Sequence, residues 1–157
     1  MDYGKVAFVG GGNMARALAG GMITAGYERS HILVSEPLAE NRKLLESELS
    51  GAIICDDNSQ VVREAACVLF AVKPQILSSV CRPLADIVQR SRPLVISIAA
   101  GVRSSDIDSW LGGGLSVVRV MPNQPAVLRL GISGMYANEQ TTAELLEAAR
   151  NIIATTG

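Results

Sequence analysis

Aromatic side chains are scarce in this sequence: one Trp, two Phe and three Tyr make up 4% of its 157 residues. A core without them has to be filled by aliphatic side chains. The chain is 48% hydrophobic, which suits parallel strands buried on both faces. An excess of either charge is also missing, with 14 basic against 15 acidic residues. Neither a nucleic-acid partner nor an anionic membrane surface is expected of such a balance. Histidine occurs once, as His31 at the start of an apolar run, where a structural role is expected. No Ser–His–Asp set, metal cluster or pair of perturbed carboxylates can be assembled from the remaining residues. Cys55, Cys67 and Cys81 are odd in number and far apart, without a C-x-x-C spacing. Cys67 lies in an apolar run and reads as a buried thiol, so a reducing cytoplasm is the expected setting. No apolar run reaches the ~18 uncharged residues of a membrane span. Arg16 interrupts the apolar start, so a signal peptide is not expected either. No repeat, low-complexity tract or linker is visible, and the length fits one domain.

What is present begins in residues 5–26. Val6-Ala7-Phe8-Val9 has the length and character of a buried strand. The run breaks at Gly10-Gly11-Gly12 and resumes with Met14, Leu18, Gly21, Met22 and Ala25 at helical spacing. Gly10-x-Gly12-x-x-Ala15 fits the G-x-G-x-x-G/A fingerprint of a dinucleotide-binding strand, turn and helix. Gly10 permits the tight turn, Gly12 lets a pyrophosphate approach the backbone, and Ala15 is small enough for the helix to pack near the strand. The unpaired N–H groups of the first helical turn, with the positive end of the helix dipole behind them, then face the phosphates.

Downstream, apolar runs alternate with helical patterns. Gly26 is placed to cap the first helix. Residues 31–35 read as a second strand, and Pro37 is placed to open a helix carrying Leu38, Leu45 and Leu49. Residues 52–55 form a short third strand, followed by a capping cluster at Asp57-Asn58-Ser59. Residues 67–72 read as strand four and residues 75–90 as one helix. Residues 93–99 read as strand five, and Ser104 or Ser105 caps a short helix. Residues 116–121 are strand six and residues 132–137 strand seven. Thr141-x-x-Glu144 is a capping box for a last helix through Ile153, with Gly157 as its cap. The alternation implies an α/β fold: a doubly wound, mostly parallel, Rossmann-like sheet in the order 3-2-1-4-5-6, with strand seven added at the far edge.

In such a sheet the ligand lies beyond the C-terminal strand ends, at the switch between strands one and four. The ends present residues 10–14, Ser35-Glu36, Ala71-Val72-Lys73-Pro74, Ile98-Ala99-Ala100 and Pro122-Asn123. Glu36 lies about 20 residues beyond Ala15, where an acid accepts from an adenosine 2′-OH. A carboxylate there repels a 2′-phosphate and favours NAD over NADP, whereas Arg42 nearby is able to pair with such a phosphate. Lys73 is a candidate donor to the nicotinamide ribose or a candidate general acid. Trp110 and Leu111 read as core. The chain thus offers hydride-transfer geometry without an evident proton donor.

The stretches VGGGNMARALAGG, VSEP, DN, AVKPQ, VISIAAG, VVRVMPNQPA and GISGMYAN, in this order, resemble pyrroline-5-carboxylate reductase, an enzyme of proline biosynthesis. The resemblance implies an oxidoreductase that uses NAD or NADP to reduce the imine of 1-pyrroline-5-carboxylate to L-proline. By position, Val9, Gly10, Gly11, Gly12, Asn13 and Met14 would hold the pyrophosphate. Ser35, Glu36 and Asn58 would lie at the adenosine end. Ala71, Val72, Lys73 and Pro74, with Ile98, Ala99, Ala100 and Asn123, would lie along the ribose and nicotinamide. A protonated iminium is already electrophilic, which accounts for the missing acid. Gln124 replaces the Thr usual in the family. The family's second domain, helical and carrying a Ser/Gly-rich substrate motif and most of the dimer interface, has no counterpart here. The resemblance therefore implies an isolated N-terminal cofactor domain, inactive alone, whose full-length form is a homo-oligomer. A related 3-hydroxyacid or prephenate-type dehydrogenase and a non-catalytic NAD(H)-sensing module are the alternatives.

Overall fold

The computed structural model describes residues 3–121 and 133–156. Pro122, Asn123, Gln124, Pro125, Ile132 and Gly157 lie outside the described residues. The strands are β1 (Val6–Val9), β2 (Ile32–Ser35), β3 (Ile53–Cys55), β4 (Cys67–Phe70), β5 (Leu94–Ser97), β6 (Val117–Met121) and β7 (Gly134–Ala137). They form one sheet in the order β3-β2-β1-β4-β5-β6-β7. Every neighbouring pair is parallel except β6–β7, which is antiparallel. The expected strand order, with a seventh strand on the far edge, is what the sheet adopts.

The helices are α1 (Asn13–Thr24), α2 (Ala39–Glu48), α3 (Asn58–Val62), α4 (Pro74–Cys81), α5 (Ala85–Ser91), α6 (Ser104–Trp110) and α7 (Ala143–Ile153). Successive strand residues point to opposite faces, so each central strand feeds two cores. Val6, Phe8, Ile32, Val34, Leu69, Ile96 and Val118 pack with Leu18 and Met22 of α1, Leu45 of α2 and Ile152 of α7. Ala7, Val9, Leu33, Val68, Phe70, Val95 and Val117 pack with Val61 of α3, Leu77 of α4, Val88 of α5 and Ile107 of α6. Burial on both faces explains why β1 and β4 are unbroken apolar runs and why β2 and β5 are apolar up to a terminal serine. Trp110 packs against the second core, with the Arg82 guanidinium 6.0 Å from its ring centroid.

Several local expectations are corrected. The helix expected over residues 75–90 is two helices separated by a 3₁₀ turn, Arg82–Leu84. Pro83 has no N–H to continue the i→i−4 ladder, and the Ala85 N–H bonds to the Arg82 carbonyl three residues back. The second helix does not open at Pro37 but at Ala39, and Leu38 is 54% exposed rather than part of its buried face. The cause is the Glu36 carboxylate, which accepts from the Leu38 N–H at 2.9 Å while Leu38 keeps an extended backbone. Neither Ser104 nor Ser105 caps α6, because the helix already begins at Ser104. The cap of α7 is Thr142, which accepts from the Leu145 N–H at 3.2 Å. Thr141 is diverted to Asn138, its hydroxyl donating to Oδ1 at 2.8 Å. Asn138 also receives the Val117 N–H and donates to the Leu115 carbonyl, tying the end of β7 to the start of β6.

Gly26 closes α1 as expected. With φ +97°, it donates to the Ile23 carbonyl while Tyr27 donates to Met22, the paired bonds of a Schellman cap. Inside α1, Gly21 permits a close approach: a Cβ there would lie 2.6 Å from the Thr155 carbonyl oxygen. Among the described residues no helix is long and apolar enough to cross a membrane.

Two predictions test this packing. Gly21→Ala is expected to cost about 1–3 kcal/mol through overpacking. Gly20→Ala, whose Cβ would meet nothing within 4 Å, is expected to gain about 0.5–1 kcal/mol; urea denaturation of both variants measures the contrast. Cys67 and Cys81 are buried and Cys55 half-buried. Burial pushes the Cys67 and Cys81 thiols up to about 12. A thiol reagent at neutral pH is therefore expected to label Cys55 in the native protein and all three cysteines after denaturation. Because the two folded-state values are raised, their contribution to stability is complete below the ordinary thiol range, about 8.5, and is lost as the pH rises towards 12.

Candidate functional site

The register aligns the strand ends on one edge: Val9 faces Ser35 and Phe70, and Phe70 faces Ser97. Backbone bonds run one step past the strands. The Gly10 N–H donates to Ser35, Glu36 to Cys55, Ala71 to Val9 and Ile98 to Phe70, at 2.8–3.2 Å. These loops are therefore held in the frame of the sheet. At β1 the chain divides, since β2 lies on one side and β4 on the other, which is the switch-point arrangement.

Gly10 occupies that point with φ +101°, a backbone that L side chains rarely adopt. A Cβ on it would lie 2.8 Å from the Ala71 carbonyl oxygen. Gly10 and Ala71, both site candidates, are thus in backbone contact. Gly12 is the N-cap of α1 and makes no side-chain cap bond; it is exposed, and a Cβ there would meet nothing within 4 Å. The helix N-terminus is left open to a ligand, as the fingerprint requires. Asn13 is exposed, Met14 half-buried and Ala15 only 2% exposed against the core.

At the end of β2, Ser35 is buried and its hydroxyl donates to Asn58 Oδ1 at 2.6 Å, a length typical of O–H···O. The Asn58 amide nitrogen is thereby turned away from Ser35 and, among the described residues, has no acceptor. Glu36 is 7% exposed. Its Oε1 accepts from the Gly11 N–H at 3.2 Å and its Oε2 from Leu38. Arg42 folds back on this turn, Nη1 donating to the Glu36 and Pro37 carbonyls at 3.0 and 2.8 Å. Ala71 and Val72 are half-buried, Lys73 is exposed as the N-cap of α4, and Pro74 is its first residue. Ile98 is half-buried, Ala99 buried and Ala100 exposed. Every site candidate except Asn123, which lies outside the described residues, is the last residue of a strand, part of the loop after it or one of the first two residues of the helix that follows. His31 precedes β2, at the opposite end of that strand.

One contact at this edge has no signal in the sequence. Arg16 grips Glu48 with two bonds, Nε–Oε2 at 2.8 Å and Nη2–Oε1 at 2.7 Å, and its Nη1 donates to Asn13 Oδ1 at 3.1 Å. The hydrogen bond from Arg16 holds the Glu48 carboxyl below the usual range, and the same bond raises Arg16. The pair ties the first turn of α1 to the end of α2. The residues are 32 apart, and no local spacing announces the contact. Among the described residues no group of three His, Cys, Asp or Glu side chains is placed to hold a metal ion.

The family model described as NADP oxidoreductase, coenzyme F420-dependent, matches residues 5–101, which span β1 to the loop after β5. The pyrroline-5-carboxylate reductase of Pseudomonas aeruginosa is 39% identical over 157 residues, all of this chain and 57% of its own length. A solved pyrroline-5-carboxylate reductase from Coxiella burnetii superposes with a TM-score of 0.94 at 36% identity, covering 98% of this chain and 57% of that one. The Plasmodium falciparum pyrroline carboxylate reductase, solved with NADP bound, gives 0.85 at 25% identity over 100% of this chain and 56% of that one. The chain thus spans a little over half the length of the relatives it matches. With the model covering β1 to β5 and the switch-point loops, the chain belongs to the family of NADP oxidoreductases, coenzyme F420-dependent, and within it is similar over its whole length to pyrroline-5-carboxylate reductases.

Proposed function

We propose that this chain is the cofactor-binding part of a pyrroline-5-carboxylate reductase, holding NAD(H) or NADP(H) for reduction of the imine of 1-pyrroline-5-carboxylate to L-proline. The observation that carries the reading is the open, uncapped N-terminus of α1 behind the Gly10–Ala71 backbone contact. The 39% identity to the Pseudomonas reductase over the whole chain supports the substrate, and the NADP bound to the Plasmodium reductase supports the cofactor.

Each group has a role in this reading. The Gly12 and Asn13 N–H groups and the dipole of α1 bind the pyrophosphate. Glu36 and the Asn58 amide, oriented by Ser35, meet the adenosine ribose. Ala71 to Pro74 and Ile98 to Ala100 line the ribose and nicotinamide, where small side chains leave room for a flat ring, and Asn123 completes that end. The bound nicotinamide supplies the hydride. The protein's part is to orient it and keep the site dry, because a protonated iminium needs no further activation. The residues that bring the substrate are assigned to the part of the relatives' length that this chain does not span.

Three outcomes test the proposal. Calorimetric titration is expected to give NADH binding roughly tenfold tighter than NADPH, about 1.4 kcal/mol, because the Glu36 carboxylate opposes a 2′-phosphate. Glu36→Ser is expected to narrow that gap, and a clear NADPH preference in the parent chain sinks this part of the reading. Gly10→Ala is expected to weaken both cofactors at least tenfold, since the added Cβ would meet the Ala71 carbonyl in a backbone that L residues avoid. Imine reduction by this polypeptide alone is expected to be negligible in a spectrophotometric assay; robust turnover would refute the need for the further length.

A further inference from the structure

We infer that Glu36 is a positioning residue for the glycine loop, its buried carboxylate fixing the Gly11 peptide so that the amides after it face the pyrophosphate. The inference rests on the dinucleotide reading above and gives its acidic residue a second task. An acid that serves only a ribose hydroxyl can stand in water at the strand end until the ligand arrives. This one is turned inward, with 7% of the residue exposed and both oxygens engaged by backbone N–H groups of two different segments.

Its main chain is fixed as well. The Glu36 N–H donates to the Cys55 carbonyl at 2.9 Å, and the Glu36 carbonyl accepts from Arg42 at 3.0 Å. Glu36 is therefore held by β3, by the turn before α2, by Arg42 and by the glycine loop together. Such a side chain has little rotamer freedom left to lose when a ligand binds.

Gly11 is built to receive it. A Cβ at Gly11 would lie 2.5 Å from Leu45 Cδ1, 3.2 Å from Glu36 Cβ and 3.3 Å from Val34 Cγ1. The peptide is thus seated directly against the stem of the acid that bonds it. The three glycine amides then divide by task. Gly10 donates to the Ser35 carbonyl and Gly11 to Glu36, so both are satisfied within the protein. Gly12 finds no acceptor among the described residues, stands exposed and begins the donor set offered to phosphate. Without the Gly11 bond, the peptide between two glycines is free to rotate, and the direction of the amides that follow is no longer set.

Glu36→Gln separates the two possible roles. Gln keeps the shape but offers one acceptor oxygen where two N–H groups need one each. ADP and 2′-deoxy-ADP are titrated into the parent chain and the variant, so that the 2′-hydroxyl is removed from the ligand and the carboxylate from the protein in one cycle. The expected result is an affinity loss of about tenfold for both nucleotides, the size of a lost bond to a charged acceptor. A loss for ADP with none for 2′-deoxy-ADP would assign Glu36 to the ribose alone and overturn the inference, as would no loss for either. Hydrogen exchange in the ligand-free parent chain gives a second reading that needs no variant. The Gly11 amide is expected to exchange at least tenfold more slowly than that of Gly12, and equal rates overturn the inference even where the variant fails to fold. If neither nucleotide binds the parent chain, the dinucleotide reading fails, and the exchange ratio still decides whether Glu36 holds the loop.

Discussion

The structure depends on a place where two backbones touch. Gly10, at the end of β1, lies so near the Ala71 carbonyl that a single added carbon would be 2.8 Å from its oxygen. This contact lets β1 and β4 stay paired to their last residues while their chains leave towards opposite faces of the sheet. The crevice opened by that divergence is the switch point, and the remaining strand ends are aligned to it by the register. A larger residue at position 10 would force the loops apart, and the open N-terminus of α1 would lose its alignment with the rest of the edge.

Around this contact the polar groups are committed before any ligand arrives. Ser35 is spent on Asn58, Glu36 on Gly11 and Leu38, Arg42 on the carbonyls of Glu36 and Pro37, and Arg16 on Glu48 and Asn13. Buried polar groups must be paired, and here the pairing also orients the neighbours. Among the described residues, Ser35 leaves the Asn58 amide nitrogen to donate, and Glu36 leaves Gly12 as the first unsatisfied amide. The recognition edge is thus a set of leftover donors whose directions follow from bonds made behind them. Preorganisation of this kind lowers the ordering cost of binding.

Much of the fold was legible in the sequence because the controlling physics is local. A strand buried on both faces has no polar alternation to hide, so the runs at residues 6–9, 67–70 and 94–97 declare themselves. Gly10 and Gly26 declare themselves too, since positive φ excludes other residues at low cost. The errors arose where a neighbour competed for the same group. Thr141 looked like a cap until Asn138 claimed its hydroxyl, and Pro37 looked like a helix start until Glu36 claimed the next N–H. Pro83 was a readable signal that helical periodicity outweighed.

The candidate site divides along the same line. Which residues stand at the C-terminal edge follows from the sequence alone, because strand periodicity and the glycine turn place the ends of β1, β2, β4 and β5 without reference to contacts. Which way their side chains face was decided only by the tertiary structure. Glu36 reads as an acid waiting for a ribose, and only the Gly11 and Leu38 N–H groups that folding brings beside it hold it turned inward. Arg16 reads as an interruption in an apolar helix until α2 brings Glu48 beside it. A hydrogen bond is chosen among all the partners that folding brings within about 3 Å, and those partners come from segments 23 to 32 residues away, beyond the reach of any local pattern.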